Sequence, residues 1–291
     1  MTNSAYRYDL HSHTTASDGT LTPSALILRA VQNQVNVLAI TDHDTVKGLD
    51  EAHQCIKEHD LAIHLINGVE ISTLWKSTEI HIVGLNIDIH SHILTELLIH
   101  QENQRIERAK AIAYKLSKVS VTDAYEHAQV YAKGDIVSRA HFARFLVEKG
   151  YAKDIKRAFK KYLGKSGYAY VAPQWTTIEN AIEVIHQATG QAVLAHPSRY
   201  DFTTTKMKNL IGYFKQYGGD AIEVSQSRQS IDELHLLAKC ANEFNLLASQ
   251  GSDFHDNVSY LDLGKTQPLP GSVTPIWTDW SLSNRLLMKS D

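Results

Sequence analysis

Residues 37–45 read VLAITDHDT: four apolar residues, then a tight group of Thr, Asp and His. The apolar run is too short for a helix and is rich in β-branched residues, so it reads as a buried strand. The reactive side chains begin where the strand stops. The same arrangement recurs along the chain. Residues 8–10 run into His11, 63–66 into Asn67-Gly68-Val69-Glu70, and 192–195 into His196-Pro197. Residues 246–248 lead to Gly251-Ser252-Asp253-Phe254-His255, the run 80–84 contains His81, and the run 221–224 contains Glu223.

Between these runs lie patterns of helical spacing at 23–34, 46–59, 177–189, 205–217 and 230–244. Thr22 before Pro23 fits an N-cap followed by proline in the first helical position. Strands alternating with helices predict βα units and a parallel sheet. An open doubly wound sheet would gather ligands at one crevice between two strands. Here polar clusters follow seven strand ends, which predicts a seven-stranded β/α barrel with its site on the C-terminal face. The barrel is assigned to residues 1–96 and 176–291. Residues 97–175 break the alternation: Ile106, Ala109, Ile112, Ala113 and Leu116 have helical spacing, and further helices fit 139–149 and 155–163. This stretch reads as a helical insertion domain.

With 291 residues, 43% hydrophobic and 21% charged, the chain has ample core-forming residues. The net charge of −3 alone predicts no partner. Its distribution is uneven, however. Residues 131–170 hold ten Lys/Arg, from Lys133 to Lys165, against Asp135, Glu148 and Asp154. This block of net +7 favours an anionic substrate or nucleic acid near the insertion. Cys55 and Cys240 match no zinc or redox spacing, and are expected as buried thiols in a cytoplasm. No basic N-terminal region precedes an apolar run, and no stretch of about 18 apolar residues occurs, which argues against secretion and membrane spanning. No obligate protein partner is indicated.

Among 16 His, five (His53, His59, His92, His100 and His127) sit in polar helical contexts and read as solvated. Six of the others stand at the strand ends. His11 and His13, as i and i+2, face one side of an extended segment and can reach one cation. Asp18, His43, Glu70, His81, His196, Asp253 and His255 stand beside other strand ends. Nine such groups converging on one barrel mouth require cations. Imidazole and carboxylate suit Zn, Mn and Fe, and the lack of thiolate argues against a structural zinc site. Asp42 and Asp44 either orient imidazoles or cap the following helix, and Asp44 before Thr45-Val46 has the look of an N-cap. Glu223 reads as half of a buried pair or as a contact to the site.

The pieces DLHSHTTASDG, ITDHDT, GVE, the His of EIHIVG, AHP and GSDFH, in that order, resemble the polymerase and histidinol phosphatase (PHP) family. They span the chain apart from the insertion. The resemblance is strongest to single-chain members that hydrolyse 3′,5′-nucleoside bisphosphates, some of which act as 5′→3′ exonucleases on short RNA or RNA 5′ ends. That group carries SRAHFA in a helical insertion, found here at residues 138–143. The resemblance implies a distorted TIM-like barrel and three divalent ions, usually Mn²⁺. By motif, His11, His13, Glu70 and Asp253 hold the first ion. Glu70 bridges to a second, held also by His81 and His196. Asp18, His43 and His255 hold the third.

The implied chemistry is hydrolysis of nucleotide phosphate esters by a metal-bridging hydroxide, with no protein nucleophile and the nucleotide 3′-oxygen leaving. A second phosphate needs a cationic clamp away from the metals, and arginine suits it through its planar fork. Arg139 and His141, with Ser138 at a helix start, are the first candidates, and Arg199 is the next. A histidinol-phosphatase-like phosphomonoesterase and a non-catalytic metal-binding accessory module are the competing readings. The first does not need the basic insertion, and the second does not need a full ligand set.

Overall fold

The computed structural model describes residues 6–132, 136–256 and 261–281. Lys133 and Asp135 of the basic block lie outside the described residues. The elements run β1 (Tyr8–Asp9), α1 (Pro23–Gln32), β2 (Val37–Ile40), α2 (Leu49–Glu58), β3 (His64–Trp75) and β4 (Thr78–Leu85). Next come α3 (His92–Ser117), α4 (Ala124–Tyr131), α5 (Arg139–Glu148), α6 (Ile155–Ala158) and a π-helical turn (Phe159–Leu163). The chain then returns through β5 (Thr176–Thr177), α7 (Ile178–Gln187), β6 (Gln191–Leu194), α8 (Thr204–Gln216), β7 (Ala221–Gln226), α9 (Ile231–Glu243) and β8 (Leu247–Gly251).

Seven strands form the wall in the order β1-β2-β3-β4-β6-β7-β8, and β5 pairs with β3 off this path. The wall nearly closes between its ends. Leu10 N–H donates to Gln250 O (3.0 Å), Gln250 Nε2 donates to Tyr8 O (2.9 Å), and Ser12 bridges Phe254. The mixed α/β barrel expected from the sequence is thus present. Its strands are not all parallel, because β4 runs antiparallel to both β3 and β6. Nor does the third strand stop before Glu70: β3 pairs with β2 over its first four residues, then continues as a hairpin with β4. The hairpin turns at Lys76 and Ser77, both at positive φ (48° and 63°). A two-residue turn with that backbone normally advertises itself with Asn-Gly. Lys-Ser gives no such signal.

Core formation follows the apolar spacing. Tyr8, Leu10, Val37, Ala39, Ile66, Val83, Val193 and Ala221 fill the barrel interior, and Trp277 stacks on Tyr8 with ring centroids 4.1 Å apart. Helices α7, α8 and α9 bury Ile182, Ile185, Leu210, Phe214, Leu234 and Leu237 against the sheet. Helix α1 starts as expected, with Thr22 capping Ala25 N–H and Pro23 in the first turn. The insertion has its own cluster around Ile112, Leu116, Phe142, Phe145 and Leu163. Helix α3 belongs to both: Leu94, Leu97 and Leu98 pack on the barrel cluster, Ala109, Ile112 and Leu116 on that of the insertion. It begins before residue 97, so one continuous helix crosses that position.

Candidate metal centre

His11 and His13 lie just beyond β1 in extended chain. Asp253 N–H donates to His11 O (2.9 Å) and His13 N–H to Phe254 O (2.8 Å). This pairing continues the β1–β8 seam and points both imidazoles to one side. Gly251 makes the approach possible, since a Cβ there would stand 2.3 Å from the His11 Cβ. On the neighbouring seam, Asp44 N–H donates to Glu70 O (2.9 Å) and Glu70 N–H to Asp42 O (3.2 Å), which sets His43 beside Glu70. His81 sits near the start of β4. Because β4 runs opposite to its neighbours, its beginning reaches the same barrel mouth as their C-terminal ends. His196 and Asp253 have left-handed backbone (φ 32° and 51°) just past β6 and β8.

These placements bring all nine predicted residues together. His11 Nε2 and His13 Nε2 lie 3.1 Å apart, each 3.3 Å from Glu70 Oε2. His13 Nε2 is 3.1 Å from Asp253 Oδ1. Glu70 Oε1 stands 2.9 Å from His81 Nδ1 and 3.0 Å from His196 Nε2. Asp18 Oδ1 stands 3.2 Å from His255 Nε2 and 3.8 Å from His43 Nε2. Three overlapping donor groups result: His11, His13, Glu70 and Asp253; His43, Glu70 and His81; and His13, Asp18, His43 and His255, each within 4.8 Å.

The cluster is buried yet poorly hydrogen-bonded. Glu70 Oε2, Asp18 Oδ1, His43 Nδ1, His13 Nδ1 and His196 Nδ1 are buried without a hydrogen-bond partner. His43 Nδ1 lies only 2.9 Å from Glu70 Oε2, but the angles do not suit a hydrogen bond. Buried polar atoms are nearly always paired. Imidazole nitrogens and carboxylate oxygens crowded this closely, several of them unpartnered, suit divalent cations between them. The donor chemistry therefore fits a multinuclear metal centre.

Electrostatics agree. Burial opposes charge on Glu70, but His81, His11 and His43 hold its carboxyl well below its ordinary range. His255 and His43 do the same for Asp18, against the same burial penalty, and His255 and His11 for Asp253. Burial also disfavours charged imidazoles. At His81 the carboxylates Glu70 and Glu79 outweigh it and raise the pKa to about 10, and at His255 Asp18 and Asp253 raise it to about 9. At His43 burial wins and the pKa falls. The ionised carboxylates thus bind protons through their His neighbours, and a metal must displace those protons.

Several supporting residues were only partly legible or were missed. His11 Nδ1–H donates to Glu223 Oε1 (2.6 Å), and Glu223 Oε2 accepts His196 N–H (2.6 Å), so Glu223 directs two members of the cluster. Asp42 accepts from Thr14 N–H, Thr14 Oγ1 and Ser17 Oγ, which shapes the loop before Asp18. Asp44 is not a helix cap, since α2 starts later behind Gly48. Its carboxylate instead accepts from Ser72 N–H (2.8 Å) and Arg105 Nε (2.8 Å). Arg105 and Arg108 belong to no motif and have no place in the sequence reading. The available signal was their place on the α3 stripe that also buries Leu97, Leu98 and Gln101. Of the five His read as solvated, four are exposed, but His127 is half-buried and stacks on Phe145 at 5.0 Å.

Two clefts open on the centre. The first, of about 120 Å³, is lined by Asp18, His43, His81, Arg105, Arg108, Ser138 and Arg139. Arg139 Nη2 donates to Glu79 Oε2 (2.7 Å), and Arg108 Nη1 lies 3.9 Å from Glu79 Oε1. Trp175 lies under both Arg105 and Arg108, 4.9 and 5.2 Å from its ring centroid. Arg108 Nη2 is buried without a partner. Ser138 caps α5 and donates to Asp18 Oδ2 (3.2 Å). His141 is buried, and its Nδ1 accepts Ser138 N–H (3.1 Å) in a capping box. Arg199 pairs with Asp253 and lines the second cleft, not the first.

A cluster of this composition on a barrel of this topology defines a class of metal-dependent phosphoesterases, and the PHP domain model matches residues 9–195. The chain belongs to the PHP family and is a hydrolytic enzyme. It is 51% identical over 279 residues to the 5′-3′ exoribonuclease Rnm of Escherichia coli (strain K12), covering 96% of this chain and 95% of that one. It is 39% identical over 285 residues to a 3′,5′-nucleoside bisphosphate phosphatase of Chromobacterium violaceum, covering 97% and 99%. A C. violaceum structure described as an amidohydrolase, with sulfate bound and no metal, superposes with a TM-score of 0.88 at 39% identity over 93% of this chain and 94% of that one. No helix among the described residues is long and apolar enough to cross a membrane.

Proposed function

We propose that this enzyme removes the 3′-phosphate from nucleoside 3′,5′-bisphosphates and, with the same groups, trims RNA from a phosphorylated 5′ end. The observation that carries this reading is the arginine-lined cleft opening directly on the His/carboxylate cluster. In this reading His11, His13, Glu70 and Asp253 hold one divalent ion. Glu70, His81 and His196 hold a second, and Asp18, His43 and His255 a third, with Mn²⁺ the expected metal. His13, His43 and Glu70 each belong to two of the donor groups. Bound divalent cations supply Lewis acidity, lowering the pKa of water from 15.7 to about 7 and offsetting phosphoryl charge.

The protein's own part is placement. Arg139 and Arg108 take the phosphate that is not cut, and Glu79 holds both guanidiniums in position until it arrives. Ser138 Oγ and the start of α5 stand beside Asp18, and helix N-termini favour anions. His141 serves this clamp by fixing Ser138, because burial lowers its pKa to about 4 and leaves it neutral. Arg199 orients Asp253. In the hydrolysis, water adds its oxygen to phosphorus, the P–O3′ bond breaks, and the 3′-oxygen leaves with a proton as a hydroxyl. Residues 97–175 would act as the unit that brings the clamp to the barrel. The buried free thiols Cys55 and Cys240 support a cytoplasmic setting.

A histidinol-phosphatase-like activity would leave Arg108 and Arg139 without a role, and an accessory module would not need so many ligands. The test is a Mn²⁺-supplemented panel of adenosine 3′,5′-bisphosphate, 5′-phosphorylated and 5′-hydroxyl RNA oligomers, and histidinol phosphate. Turnover of the bisphosphate and the 5′-phosphorylated RNA, abolished by a chelator, is expected. Arg139→Ala should raise KM for the bisphosphate far more than for a simple phosphate ester. Preference for histidinol phosphate, or full activity after chelation, would refute the reading.

A further inference from the structure

The first cleft has room for a phosphate group, not for the chain that follows the cut. The second cleft, of about 520 Å³, lies within the roughly 300–1,000 Å³ typical of ligand pockets. It is built by the segments that follow three successive strands of the wall. Ser198 and Arg199 come after β6, Gln226 to Gln229 at the end of β7, and Asp253, His255 and Asp256 after β8. Segments after strand C-termini form the working face of β/α barrels. The two clefts also open on different members of one cluster. Asp18, His43 and His81 line the first, and Asp253 and His255 line the second. The groups between them are in contact: His255 Nε2 is 3.2 Å from Asp18 Oδ1, and the His13 ring stacks on that of His255 with centroids 4.0 Å apart.

We infer that this second cleft is the subsite for the nucleotide downstream of the cut. The inference rests on the proposed function, in which the 5′-phosphate sits between Arg108 and Arg139. A strand held there and cut at the next linkage must continue beyond the centre on the side away from the clamp. On that side the centre is walled by Asp253 and His255, which are shared with the second cleft. Most of the side chains lining the cleft are polar, and two of them are tied down from behind. Gln226 Nε2 donates to Glu223 O, and Gln229 Nε2 to Val224 O, which fixes the loop that carries Arg228. Arg228 is exposed at the rim, on the side where the downstream nucleotide would lie. Among the described residues the cleft's lining carries no Phe, Tyr or Trp.

The experiment compares steady-state kinetics of the Mn²⁺-loaded full chain on adenosine 3′,5′-bisphosphate, which has no downstream nucleotide, and on 5′-phosphorylated diadenylate. Arg228→Ala should raise KM for the dinucleotide about tenfold, Arg228→Glu should raise it further, and Arg228→Lys should restore most of it. Asp256→Lys, which adds a positive charge to the same rim, should lower that KM. All four variants should stay within about twofold of wild type on the bisphosphate. Equal losses on both substrates would place the terminal nucleotide in this cleft and overturn the inference, as would no loss on either. A wild-type protein that cleaves neither substrate overturns the proposed function as well, whereas cleavage of both without discrimination by the variants overturns the subsite alone.

Discussion

The Glu223 carboxylate accepts His11 Nδ1–H at 2.6 Å with one oxygen and His196 N–H at 2.6 Å with the other. One buried side chain thereby fixes the tautomer of His11, turning its Nε2 toward Glu70 and Asp253, and sets the backbone of a residue on the opposite side of Glu70. Outer partners of this kind orient the ligand and raise its basicity. Glu223→Gln keeps an acceptor for His11 but offers an amide group to the His196 N–H. Metal affinity should fall roughly 10–100-fold, read as a shift of the Mn²⁺ concentration that half-restores activity to the chelated enzyme. An unchanged Mn²⁺ titration would show that Glu223 only packs.

Asp18 links the barrel to the insertion as well as to His255. Its Oδ2 accepts from Ser138 Oγ (3.2 Å) and its carbonyl from Arg144 Nη2 (2.9 Å). Asp18→Ala should remove the ion assigned to Asp18, His43 and His255 and leave those at Glu70. Metal analysis after dialysis should find about one equivalent fewer, and turnover should fall by roughly 10²-fold or more. Loss of all metal together would mean that the cluster binds its ions as one unit.

The alternation of short apolar runs with helical patterns made the barrel legible, and the residue types at the strand ends made the cluster legible. Both are local properties of sequence. The antiparallel strand was not legible, because a strand carries no mark of its direction and the Lys76-Ser77 turn lacks glycine. The arginine cleft was half legible. Arg139 stood out through its motif, but Arg105 and Arg108 are on a helix whose polar face and buried face both carry charge, and only long-range packing on Trp175 and Asp44 separates them. Asp44 failed for a related reason: an aspartate before a helix looks the same whether it caps that helix or binds an arginine from 61 residues away.

The Lys76-Ser77 turn makes its own prediction. At φ 63°, Ser77 has a left-handed backbone that a β-branched side chain tolerates poorly. Ser77→Val should cost about 1–2 kcal/mol, seen as a lower thermal midpoint. Ser77→Gly should be neutral or slightly stabilising, because relief of the backbone strain offsets the added freedom of the unfolded chain. The hairpin carries both Glu70 and His81, so Ser77→Val should also weaken metal binding. A valine variant as stable as wild type would argue against the turn.

His141 ties stability to pH. Burial is the main cause that lowers its pKa from the ordinary 6.5 to about 4, and the neutral ring accepts Ser138 N–H in the capping box of α5. A histidine whose pKa is depressed by folding binds its proton more readily in the unfolded chain. Below pH 6.5 the unfolded state therefore takes up protons that the folded state refuses, and stability falls as pH drops. The loss should develop between about pH 6.5 and about pH 4 and level off below that window. Its size is at most roughly 3 kcal/mol from this residue. Gln at this position can complete the same capping box without titrating. Thermal unfolding of wild type and His141→Gln from pH 7.5 to 4 should show the wild-type midpoint falling more steeply on acidification, with the gap opening below pH 6.5. Parallel curves would mean that His141 takes up its proton in the folded protein as readily as in the unfolded chain. The clamp would then carry an imidazolium beside Ser138 at mildly acidic pH.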